Sequence, residues 1–150
     1  MKKDIGKKKL QEHEDVFADI FNSLVFSGKE VVHPSELVLV PTAGHHKDAG
    51  GELRERTRDI LMKDIRRGTL YLLMGLENQD YIDNTMPLRC MGYDFTAYDK
   101  QVKDYMDENR KHNKSAYHRK IHKEQKLVPV ITLVTYYGEK EWDAPKDTQN

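Results

Sequence analysis

Residues 56–79, RTRDILMKDI-RRG-TLYLLMGLENQ, constrain the fold more than any other stretch of this chain. Two strand-like runs are separated by Arg66-Arg67-Gly68, a turn sequence that predicts a hairpin. A strand alternates its side chains between two faces. Asp59, Leu61 and Lys63 therefore share one face of the first run, and Tyr71, Leu73, Gly75, Glu77 and Gln79 share one face of the second. The second run closes on a Glu and a Gln two positions apart, where an apolar strand should be ending. Such a pair is either an ordinary solvated strand end or half of a site whose other half lies elsewhere.

The flanking patterns place the hairpin in an α/β fold. Val16, Phe17, Ile20, Phe21, Leu24 and Val25 recur with helical period, and Gly28 follows as a stop signal. Asp15, Asp19 and Asn22 fall on the opposite, polar stripe. Residues 31–41 combine a Pro-initiated turn with a short apolar run, and TAGHHKDAGGE reads as a loop. After the hairpin, Asn84 or Thr85 caps a second helix with Pro87 in its first turn. Met91, Phe95, Tyr98, Val102 and Tyr105 then step by four and three, which predicts an amphipathic core helix to about Asp107. Residues 127–137 carry apolar side chains on both faces and read as a strand buried on two sides. Helix, loop, hairpin, helix and strand make a small mixed sheet flanked by helices, and exclude a bundle or a repeat fold. Residues 1–12 are expected to be a charged, frayed tail, 13–146 one domain, and 147–150 a second tail.

Composition excludes several classes of function. The chain has 150 residues and a formal net charge of zero, so no global field draws it to nucleic acid or membrane. Its basic charge is instead local. Lys2, Lys3, Lys7, Lys8 and Lys9 cluster near the start, and residues 108–126 hold Arg110, Lys111, Lys114, Arg119, Lys120, Lys123 and Lys126. That segment is either a phosphate-binding surface or a solvated loop. Cys90 is the only cysteine, so neither an intrachain disulfide nor a Cys-based zinc site can form. No signal peptide and no apolar run near the ~20 residues of a membrane span is present, which sets the expectation of a cytoplasmic protein without membrane partners. His118 and His122 stand at i, i+4, but the segment lacks the Glu of a zinc-protease motif and is dense with cations. His45-His46 has no obvious third ligand.

Asp59 and Glu77, on neighbouring strands, are the candidates to converge on one divalent ion. Hard oxygen ligands suit Mg²⁺ or Mn²⁺. The backbone carbonyl of Asn78 is the candidate third ligand, because a strand end leaves a carbonyl free. Gln79 can hold a phosphate oxygen or a water by hydrogen bonding, but supplies no positive charge. Arg89, early in the second helix, is a candidate phosphate ligand. Tyr93, one turn on, shares its face. Lys63 shares the face of Asp59.

Three segments, ERTRDILMK, YLLMGLENQDYIDNTMPLRCMGYDFTAYDKQ and KLVPVITLVTYYGEKEWDAP, resemble the recombination-promoting nuclease / putative transposase (Rpn) family. That family belongs to the PD-(D/E)XK nuclease superfamily. FADIFNSLVFSGKEVVHPSEL matches the family's opening helix and the segment after it, so the likeness covers roughly residues 15–146. It implies a restriction-endonuclease-like core and Mg²⁺-dependent cleavage of DNA phosphodiester bonds. Asp59 matches the first catalytic acid and Glu77 the second. Gln79 stands where many superfamily members have Lys, in the E-x-Q form of the family itself. The opening helix often adds another acidic or amide group, for which Asp19 and Asn22 are the matching candidates. DNA is then expected to be held by Arg89 and by the basic segment through Arg110, Lys111, Arg119 and Lys120. Members of the family usually continue into a second helical part after the WDxP-like segment, which this chain is expected to lack. Dimerisation is a common route to cutting both strands. The alternative is a non-catalytic binding protein on the same fold: an inhibitor, a decoy, or a partner of a longer relative.

Overall fold

The computed structural model describes residues 2–41, 59–112 and 120–146. Helix α1 spans Lys2–Gln11 and α2 spans Glu14–Leu24. A single 3₁₀ turn at Pro34–Glu36 leads into strand β1, Leu37–Val40. The hairpin follows as β2, Ile60–Arg66, and β3, Thr69–Gln79. Helix α3 runs from Met86 to His112, and β4 from Val130 to Tyr136. The four strands lie in the order β1-β2-β3-β4. The first two pairings are antiparallel, and β4 joins β3 in parallel. A parallel neighbour requires a crossover connection, and α3 is that connection. The expected small mixed sheet flanked by helices is present.

The hairpin turn is as tight as its sequence indicated. Arg66 pairs with Thr69, leaving Arg67 and Gly68 as a two-residue loop with φ of 50° and 79°. Positive φ at both positions is the geometry that follows the right-handed twist of the strands, and glycine at the second adopts it without steric cost.

One face of the sheet packs on α2. Phe17, Phe21, Ile60, Met62, Met74 and Leu76 are at most 1% exposed. The Phe17 and Phe21 rings stack at 4.7 Å. Each such side chain contributes roughly 1.5–3 kcal/mol by leaving water. Helix α2 ends as the glycine predicts: Gly28, at φ 80°, donates its N–H to the Asn22 carbonyl at 2.7 Å.

The opposite face carries α3, and here the sequence pattern misleads. Of the expected core series, Tyr98, Val102 and Tyr105 are half-buried, whereas Met91 and Phe95 are 55% and 69% exposed. The helix meets the sheet along a neighbouring stripe that contains Tyr93 and is largely polar. Tyr98 accepts the Val130 N–H, Gln101 brackets the Val128 backbone, and Thr132 donates to Asp94. Apolar periodicity finds an apolar stripe, but cannot see a helix docked by hydrogen bonds. Strand β4 is correspondingly half-buried along its whole length. Residues 2–11 also depart from expectation, forming helix α1 in place of a frayed tail.

Candidate active site

The site forms where β2 begins and β3 ends. Asp59 stands just before β2, and its Oδ2 accepts the Asn78 N–H at 2.8 Å. The Asp59 N–H in turn donates to Glu77 Oε2 at 3.3 Å. This exchange prolongs the β2–β3 ladder with side-chain oxygens and sets the two carboxyl groups beside one another. The pairing of strand faces read from the sequence has thus brought Asp59 and Glu77 together.

Glu77 is only 5% exposed. Its Oε1 accepts from Arg89 Nη2 at 2.6 Å and from the Tyr93 hydroxyl at 3.1 Å. Burial, and then the charge of Asp59, push the Glu77 carboxyl above its ordinary 4.5, against the opposing pull of Arg89, Tyr93 and the Asp59 N–H. Removal from water therefore outweighs the ion pair at this carboxyl. Burial also opposes the charge of Arg89, but its hydrogen bonds to Asp83 and Tyr93 and the field of Glu77 hold its pKa raised. Asp83 reaches Arg89 Nη1 at 3.0 Å while accepting the N–H and hydroxyl of Thr85 just before α3. Arg89 thus comes from the first turns of α3 and is aimed by the residue that shapes the helix start.

Gln79 is 3% exposed. Its Oε1 receives a long contact from Arg89 at 3.5 Å, and its backbone carbonyl accepts the Tyr137 N–H at 2.8 Å. Among the described residues its Nε2 is buried with no hydrogen-bond partner. A buried amide donor without an acceptor costs ~1–3 kcal/mol, and an incoming oxygen would remove that cost. Gln79 lines a cleft of ≈ 280 Å³ with Asp59 and Asn78, and Lys7 and Lys8 of α1 line it with them.

The donor set suits a hard dication, with a limit. Among the described residues, no group of three or more His, Cys, Asp or Glu side chains is placed to hold a metal ion. Mg²⁺ asks for less, since it keeps several waters and takes one or two carboxylates. Asp59 and Glu77 would supply those, Glu77 through Oε2, because Oε1 is occupied by Arg89 and Tyr93. The Asn78 carbonyl lies on the same strand edge as its N–H, hence on the Asp59 side and beyond the start of β2. The Asn78 side chain is committed elsewhere, to Gln11 and to the Thr135 hydroxyl.

Other residues singled out from the sequence lie apart. Lys63 is four residues along β2 from Asp59, a rise of ~13 Å. Asp19 is exposed on α2, and among the described residues no hydrogen bond or ion pair joins it to the cluster. Asn22 is structural: its amide accepts from the N–H groups of Val31 and Val32 and donates to the Val32 carbonyl. Arg110 and Lys111 occupy the last turn of α3. They stand 21 and 22 residues from Arg89 along the helix, ~30 Å away. Lys120 is exposed near that end, where its carbonyl accepts from Asn109. Among the described residues, none of the basic segment lines the cleft. Arg119, His118 and the His45-His46 pair lie outside the described residues. Sequence reading missed Asp83, although an Asp two residues before Thr85 at a helix start is a turn signal. It also missed Lys7, Lys8 and Gln11, for which no periodicity or motif gave a signal.

The family model described as "Putative transposase, YhgA-like" matches residues 39–150. The chain belongs to that family. Within this YhgA-like match fall the whole hairpin, α3 and β4, hence Asp59, Glu77, Gln79, Asp83, Arg89 and Tyr93. The helices α1 and α2 precede it. No curated protein and no solved structure matches the chain. No helix among the described residues is long and apolar enough to cross a membrane.

Proposed function

We propose that this YhgA-like protein is a metal-dependent DNA endonuclease that hydrolyses phosphodiester bonds, with Mg²⁺ or Mn²⁺ held by Asp59 and Glu77 and by the Asn78 carbonyl. The observation that carries this reading is the reciprocal Asp59–Glu77–Asn78 hydrogen bonding at the strand ends. It fixes two acids side by side, the buried Glu77 and Asp59, which lines the cleft. Such an ion, when bound, would lower the pKa of a water and offset charge on a phosphate oxygen.

The remaining roles belong to the chain's own side chains. Gln79 donates its unpartnered Nε2 to a phosphate or water oxygen. Arg89 presents a planar, permanently charged group whose geometry matches phosphate, and Asp83 and Tyr93 hold it in place before substrate arrives.

The test is cleavage of duplex and single-stranded DNA in Mg²⁺ and Mn²⁺ by wild type, Asp59→Ala and Glu77→Ala, with folding checked by circular dichroism. Cleavage by wild type and its loss in both variants is the expected result. No cleavage across metals, salts and DNA forms would overturn the reading.

One observation favours a second reading. Arg89 already neutralises Glu77 at 2.6 Å, the arrangement expected where that carboxylate serves structure and not a metal. A non-catalytic binding protein on this fold would keep a stable complex with its partner through both alanine substitutions.

A further inference from the structure

The basic start of the chain is a helix seated on the site. Gln11, the last residue of α1, is 4% exposed. Its Nε2 donates to Asn78 Oδ1 at 3.1 Å and to the Tyr137 hydroxyl at 3.0 Å, while its Oε1 accepts from Asn78 Nδ2 at 2.6 Å. Two amides facing one another with both hydrogen bonds made define position and orientation. They tie α1 to the residue lying between Glu77 and Gln79. One turn back, Lys8 lines the cleft beside Lys7, whose Nζ lies 3.9 Å over the Tyr137 ring. A cation–π contact orients an ammonium without neutralising it. Among the described residues neither lysine forms an ion pair. The acids across the cleft are Asp59 and Asp80. Two cations without an ion pair among the described residues are therefore held in a cleft that also carries Asp59 and Asp80, beside a Gln79 without charge and near an Arg89 already engaged by Glu77 and Asp83.

We propose that Lys7 and Lys8 are phosphate-contacting residues of this cleft, gripping the nucleic-acid backbone next to the bond to be cut. Gln11 is the positioning residue that keeps them there. The proposal rests on the nuclease reading and extends it to a helix outside the family match.

The experiment measures binding of the whole chain to a short DNA duplex by fluorescence anisotropy across a salt series. Ca²⁺ replaces Mg²⁺, because it fills oxygen sites with looser geometry. Each duplex phosphate neutralised contributes ~0.9 to the slope of log K against log salt. The variant with Lys7→Ala and Lys8→Ala should lose ~1.8 of slope. Lys7→Arg with Lys8→Arg should retain it, and so should Lys100→Ala with Lys103→Ala, a matched loss of two charges on α3. Gln11→Ala should lower the slope with both lysines intact, a change that a merely structural role would not produce at unchanged circular dichroism. Wild-type binding with a slope unaltered by the double alanine variant would overturn the proposal and leave the nuclease reading standing. Absence of wild-type binding to any DNA would overturn both.

Discussion

Arg89→Met tests whether the buried acid depends on its cation. The Glu77 side chain is 7% exposed and the Arg89 side chain 27%, with 2.6 Å between them. Methionine keeps the length and most of the packing of the arginine stem but removes its charge and its donors. Glu77 would then face Asp59 with only the Tyr93 hydroxyl and the Asp59 N–H to support it. Breaking a buried pair from one side typically costs 3–5 kcal/mol. Arg89 is partly solvated and Glu77 can take up a proton, so ~2–4 kcal/mol is the expected loss here. Combining Arg89→Met with Glu77→Gln removes both charges. That double variant should lie within ~1–2 kcal/mol of wild type, a coupling of about 2 kcal/mol.

Urea unfolding gives these differences directly, with Trp142 as the only tryptophan and its ring 5.0 Å from Tyr136 at the end of β4. If Arg89→Met costs under ~0.5 kcal/mol, the value of an exposed pair, Glu77 is not desolvated and the reasoning fails. Under the nuclease reading Mg²⁺ should stabilise Arg89→Met more than wild type, because the ion supplies the missing positive charge. A ligand at 100 times its Kd adds ~2.7 kcal/mol. The double variant, lacking the Glu77 charge, should show little of this.

Two further outcomes follow from paired charges elsewhere. Asp64 is fully buried, and its partner Arg66, at 2.9 Å, is 31% exposed. Arg66→Met strands the buried carboxylate and should cost ~3–5 kcal/mol, while Asp64→Asn leaves a cation that can reach water and Glu36, and should cost ~1–2 kcal/mol by urea unfolding. Asp83 is held below its ordinary 3.8, by the Thr85 hydroxyl first and by Arg89 among the rest. A depressed carboxyl pKa stabilises the fold above 3.8, and that contribution is lost as pH falls through the folded value. Asp83→Asn, which keeps the turn hydrogen bonds and loses the charge, should cost about 1 kcal/mol at pH 7. The penalty should shrink as pH falls below 3.8 in urea titrations at stepped pH.

What the sequence made legible were the features written in local chemistry. The Arg67-Gly68 turn, the two-residue alternation of β2 and β3 and the apolar face of α2 each follow from a short-range rule, and together they bring Asp59 to Glu77. What stayed hidden depends on polar atoms meeting across the chain. Gln11 and Asn78 are 67 positions apart and make hydrogen bonds that leave no periodic trace, so a lysine-rich stretch reads as a tail until a partner for its final glutamine is in view. The same holds for α3, where Gln101 and Asp94 dock a helix whose apolar Met91 and Phe95 face outward. The two cases share a cause: the sheet and its flanking backbone present polar groups, and an amide or carboxylate satisfies these better than an apolar side chain does. The residues hardest to foresee are therefore those that hold α1 at the cleft and α3 against the sheet. Under the nuclease reading, α1 brings Lys7 and Lys8 to the substrate and α3 brings Arg89 to Glu77, so the position of these helices bears on function as directly as the acids do.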